Sequence, residues 1–71
     1  MTGSAENRLD SLNLLIAHAE QRRAEQIKLI ADLNAHGQRS TEARQVLEQI
    51  EDALAALRAR AATFQTNPRH T

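Results

Sequence analysis

No cysteine occurs in these 71 residues, proline occurs once, glycine twice, and Phe64 is the single aromatic residue. Without cysteine there is neither a disulfide framework nor a thiolate metal site, so hydrophobic packing alone must hold the fold. So few helix breakers, in a chain whose apolar residues are mostly Ala and Leu, exclude a sheet-based fold and indicate long helices. The want of aromatic platforms disfavours single-stranded nucleic acid as a ligand. Nor is there an excess of either charge: nine basic and nine acidic side chains cancel, so no general attraction to nucleic acid, anionic lipid or acidic substrates is expected. No stretch approaches the roughly 18 consecutive apolar residues that span a bilayer, and the opening MTGSAENRLD has no apolar signal-peptide core. A soluble, cytoplasmic protein is expected. The length allows one small domain, which buries only a modest share of its surface when it folds alone.

What the chain does have is heptad order. Ala5, Leu9, Leu12, Ile16 and Ala19 are spaced alternately by four and three residues, and Ile30 and Leu33 resume the same register. This predicts a first helix over about residues 5–36, capped by Ser4, with Glu6 placed where the helix dipole favours a negative charge. Gly37 can adopt the left-handed conformation that ends it, and His36 suits the negative end of the dipole. After a turn at 37–40, Ser40 or Thr41 caps a second helix over about 41–66, with Glu42 in its first turn. Here Ala43, Leu47, Ile50, Leu54, Leu57, Ala61 and Phe64 form an unbroken a/d pattern, which Val46 and Ala53 widen on one flank. Asn67-Pro68 stops the helix. Residues 1–4 and 67–71 are expected to be flexible ends.

So short a connection forces antiparallel neighbours. The expected fold is therefore all-α, a two-helix antiparallel hairpin in which Ile30 lies near Leu47, Ile27 near Ile50, Ala19 near Leu57 and Leu12 near Phe64. Two rods of about 45 Å bury only one stripe each, which leaves Leu15, Ile27 and Val46 wet on the flanks and Leu14 and Leu29 farther round the wheel. Together with the small core, these residues favour a four-helix bundle made of two hairpins related by two-fold symmetry. Leu14, Leu15, Ile27, Leu29 and Val46 are the expected apolar contacts, and Arg23 the register-setting residue, of the interface of such a homodimer, or of a bundle completed by helices of another protein.

Arg23 and Gln26 occupy a and d positions and interrupt the seam of the first helix. Arg23 is expected to lay its stem along the seam and reach Glu20 or Glu51, fixing register at some cost in stability. His18 and His36 stand about 27 Å apart along the axis and cannot share an ion, and no His-x-x-x-His or Glu-x-x-His spacing exists, so no metal or other cofactor is expected. Asp32 is expected to stabilise His36 four residues on. No nucleophile has a base at a useful spacing and no phosphate-binding glycine loop is present, so no enzyme is expected. Arg58, Arg60 and Arg69 make a basic end that meets Arg8, a candidate contact for an anionic partner.

Gln26, Leu29, Ile30, Leu33, Gly37, Thr41, Ala43, Leu47, Leu54, Leu57 and Arg60 carry a further pattern: an Ile-rich first helix, a Gly-x-x-x-Thr turn and a Leu-rich second helix. Over about residues 14–64 the chain resembles short uncharacterised helical-hairpin proteins of alphaproteobacteria, a resemblance that implies the hairpin fold and no activity. The expected function is a non-catalytic protein–protein interaction module, a small regulator, adaptor or inhibitor. The alternative is an RNA-binding hairpin dimer like the plasmid copy-number regulator Rop, an analogy of fold alone. Membrane-surface binding through Leu14 and Leu29 is disfavoured by the acidic residues on the polar faces.

Overall fold

A computed structural model describes residues 4–66, with side chains for residues 7–64. It comprises two helices, α1 (Ser4–Ala35) and α2 (Thr41–Thr66), which pack against each other. The described chain is all-helical, and its long shape, 55 × 20 × 13 Å, is that of a rod. Its radius of gyration is 16.5 Å, against about 11 Å for a globular chain of this length. Residues 1–3 and 67–71, and with them the expected flexible ends and the Asn67-Pro68 stop, lie outside the described residues. Ser4, read as a cap, is already part of α1, and His36, read as its last residue, stands in the turn.

The turn closes through main-chain bonds that the sequence makes possible. Gly37 has φ +71°, the left-handed conformation. Gln38 N donates to Leu33 O at 2.8 Å and Gly37 N to Asn34 O at 3.1 Å, the paired bonds of a Schellman motif. Ser40 is the N-cap of α2: its carbonyl accepts from Arg44 N at 2.8 Å, the first bond of the helix. The Ser40 side chain is buried and donates from Oγ to Asn34 Oδ1 at 3.1 Å, which ties the last turn of α1 to the start of α2. Glu42 sits in the first turn of α2, where the dipole favours it. The ring of His36 contacts the main-chain carbonyl of Asp32, Nδ1 to O 2.7 Å, and not the carboxylate that was expected to stabilise it. A nitrogen facing a carbonyl at that distance must carry the proton and donate it.

Gly37→Ala is expected to lower stability by about 1–2 kcal/mol, because a Cβ is disfavoured in the left-handed region. Nothing lies within 4 Å of where that Cβ would stand, so the cost is conformational and Gly37→Asn should recover part of it. Thermal unfolding followed by helicity checks this; an alanine variant as stable as the parent would mean that the turn does not close as described.

The core follows the a/d pattern. Leu12, Ala19, Ala43, Ile50, Leu54 and Ala61 are buried, and Leu9, Ile16, Ile30, Leu33, Leu47, Leu57 and Phe64 are half-buried. Three of the six buried residues are alanines, so the seam is close but thin. The side chain of Ala5 lies outside the described ones. Leu12 and Phe64 line one hollow, in the expected pairing. Ile27, expected to meet Ile50 in the seam, stays 41% exposed while Ile50 is buried. Ile27 directly follows the seam residue Gln26 and so falls on the flank of the stripe, outside it.

Candidate functional site

A hairpin with one seam has two long edges, and these differ in chemistry. In the heptad frame set by the seam, the e positions of both helices fall on one edge and the g positions on the other, because antiparallel helices set like flanks side by side. The e edge carries Asn13, Glu20, Ile27 and Asn34 from α1, with Arg44, Glu51 and Arg58 from α2. The g edge carries Arg8, Leu15, Arg22 and Leu29 from α1, with Arg39, Val46, Ala53 and Arg60 from α2 or the turn before it.

Ion pairs close the e edge. Arg23 Nε donates to Glu51 Oε2 at 3.1 Å, and Arg58 Nη2 donates to Glu20 Oε2 at 2.8 Å. These four side chains surround a hollow floored by Leu54, which is 2% exposed. Arg23 therefore leaves its a position for Glu51, not for Glu20, whose carboxylate is taken by Arg58. Side chains about half exposed give such pairs only a few tenths to about 1 kcal/mol each; their effect lies in joining particular positions of the two helices. Gln26 adds a third crossing, its Nε2 donating to Ala43 O at 2.9 Å in a part-buried position. A helical carbonyl has a second lone pair for such a donor. The polar layer that breaks the seam of α1 is thus bonded to α2 at both residues.

The g edge is open and apolar in its middle. Leu29 and Val46 line one hollow with Arg39 and Leu33, and Val46 also lines the next with Arg22, Gln49 and Ala53. Val46 thus joins the two hollows into a shallow groove along the edge. Arg8 and Arg60 line a further hollow at the open end of the hairpin, beside Leu12 and Phe64. Among the described residues Arg8, Arg22, Arg39 and Arg60 form no ion pair.

Leu14, Leu15, Ile27, Leu29 and Val46 are all exposed, by 39% at Val46 to 59% at Leu14, but they do not make one surface. Leu15, Leu29 and Val46 share the g edge, Ile27 and the Arg23 pair belong to the e edge, and Leu14 stands at an f position on the back of α1. Of the basic end, Arg8 and Arg60 come together, whereas Arg58 points to the other edge and is paired with Glu20. Two residues along a helix turn through about 200°, which separates Arg58 from Arg60. Arg69 lies outside the described residues. Arg22 and Arg39 were missed as members of the site; counting their heptad positions from the seam would have found them.

Among the described residues no group of three or more His, Cys, Asp or Glu stands where it could hold a metal ion, and no helix is long and apolar enough to cross a membrane. Set beside known proteins, the chain matches no family model, and no curated protein or solved structure matches it.

Proposed function

We propose that this hairpin is a non-catalytic protein–protein interaction module, half of a helical bundle that further helices complete, in the manner of a small regulator, adaptor or inhibitor. A second copy forming a two-fold four-helix bundle, or helices of another protein, would supply the other half, in the cytoplasm. The resemblance to alphaproteobacterial helical hairpins belongs to the same proposal, since most of its matching positions, Gly37 and Leu47 among them, are in the turn and the seam, with Leu29 and Arg60 on the g edge. One observation carries the function: a groove lined by Leu29 and Val46 lies open along one edge, with Leu15 exposed farther along it, while the buried core is a single stripe. Apolar side chains aligned in this way gain from a further helix what an isolated hairpin leaves unburied.

The test has two arms. Light scattering over a dilution series detects a second copy by a doubling of the 7.9 kDa monomer mass. Titration with an amphipathic helical peptide of about 20 residues, long enough to lie along most of the edge, with leucine on one face and glutamine on its flanks, detects a foreign helix. Association in at least one arm is expected, and Val46→Glu should weaken it about tenfold or more, since a charge is then desolvated in the contact. The variant should keep its own helicity, because Val46 is exposed in the hairpin. No association in either arm overturns the proposal.

The pairing of Arg8 with Arg60 at the open end favours a second reading, an RNA-binding hairpin dimer of the Rop kind. Unchanged electrophoretic mobility of structured RNA with micromolar protein at low salt, where phosphate contacts are strongest, would remove it.

A further inference from the structure

Every g position on α1 and α2, and Arg39 just before α2, is either apolar or arginine. The row contains Leu15, Leu29, Val46 and Ala53 for contact and Arg8, Arg22, Arg39 and Arg60 for charge, without a carboxylate. All four arginines are exposed, and among the described residues none is engaged in an ion pair. The opposite edge is arranged otherwise: it carries both signs, and its two carboxylates, Glu20 and Glu51, are each paired across the hairpin, with Arg58 and Arg23, while Arg44 forms no ion pair among the described residues. Since the chain as a whole is neutral, concentrating four arginines on one edge leaves the surplus of carboxylate on the remaining faces. The groove is therefore an apolar surface of the described molecule whose own row carries charge of one sign only, with the carboxylates set outside it.

Accepting that the hairpin is an interaction module, we infer that its g edge receives an acidic amphipathic helix from another protein, with an apolar ridge flanked by Glu or Asp. The apolar ridge would lie over Leu29, Val46 and Leu15, and the flanking carboxylates would meet Arg22 and Arg60, with Arg39 and Arg8 at the two ends. Arginine suits this role because its planar guanidinium gives two parallel bonds to a carboxylate and sheds water more readily than an ammonium. A second copy is the poorer occupant. In a two-fold contact the row faces its own reversed copy, so four arginines meet a surface that brings four more and no carboxylate of the row to pair with them, and like charges at an interface select against that partner. Three carboxylates border the row: Glu42 lies at the N-terminus of α2, where the helix dipole satisfies it, and Glu25 and Asp32 stand three residues from Arg22 and Leu29 on α1. Among the described residues none of the three forms an ion pair with the arginines of the row. RNA finds the charge, but the leucines of the row gain nothing from phosphate.

Three helical peptides with the same leucine ridge test this, flanked by Glu, Gln or Lys and titrated into the full chain at low and at high salt. The Glu peptide should bind about tenfold or more tightly than the Lys peptide at low salt, with the difference shrinking as salt screens it. Arg22→Glu with Arg60→Glu should invert the preference; both sites are exposed, and retained helicity confirms that the variant folds. Equal affinity for the three peptides overturns the inference but leaves the interaction module standing. So does a homodimer that excludes the Glu peptide, or structured RNA that displaces it from the wild-type edge. Failure of all three peptides and of self-association to occupy the edge removes the module as well.

Discussion

Leu54→Ala should bring the hairpin to the edge of unfolding at room temperature. Among the described residues Leu54 is the most deeply buried, 2% exposed, and only Leu12 and Ile50 join it as large side chains in the buried core. Cutting a buried leucine to alanine costs about 2–5 kcal/mol, the transfer term plus the cavity left behind. A domain of this length has about 4–10 kcal/mol in all at the usual per-residue stability, and a thin two-helix seam belongs at the low end of that range. The site has little means of collapse: Glu20, Arg23, Glu51 and Arg58 stand over Leu54, and water entering the cavity would further weaken the ion pairs by raising the local dielectric. Helicity against temperature measures the effect. Leu14→Ala is the control, since Leu14 is 59% exposed at the back of α1 and its loss should stay within about 0.5 kcal/mol. Equal shifts for the two variants would mean that Leu54 is not where the core is held.

The seam was legible because burial along a helix has a period. Each seam residue of α2 from Ala43 to Phe64 is buried or half-buried, as its a or d position requires. The turn was legible because Gly37 can adopt a backbone conformation that disfavours any side chain. The two edges were harder to separate. Ile27 and Leu29 are both apolar and both border the stripe, yet one follows a d residue and the other precedes an a residue, which sends them to opposite sides of the hairpin. Grouping residues by kind, the apolar flanks together and the arginines of 58–60 together, merged what a helix separates every two residues. The destination of Arg23 was open between Glu20 and Glu51 for another reason: a long side chain reaches either, and the competing pair of Glu20 with Arg58 decides it. Nothing in the spacing on α1 alone contains that competition.

That polar layer also sets the second large effect. Arg23→Leu with Gln26→Leu should raise the thermal midpoint, by the equivalent of about 1–2 kcal/mol, while making the pairing of the helices less specific. The loss is small: one ion pair between side chains 45% exposed, worth at most about 1 kcal/mol, and one bond from Gln26 to a carbonyl that a helix satisfies from within. No buried group is left unpaired, because Glu51 keeps its exposure to water. The gain is two leucines in register with Ala19 and Ile30, which would close the gap in the seam; even half-burial of each contributes about 1 kcal/mol. What disappears is a discriminating contact. Glu51 and the Ala43 carbonyl define where Arg23 and Gln26 must lie, whereas a continuous leucine seam accepts neighbouring registers and further helices almost equally well. Denaturation midpoints and solution mass, measured on the same variant, separate the two effects. A higher midpoint with a broadened mass distribution is the expected result. A lower midpoint would mean that the polar crossings stabilise the hairpin outright; a higher one with an unchanged, single species would mean that the short turn, anchored by Gly37 and Ser40, already fixes the register without them.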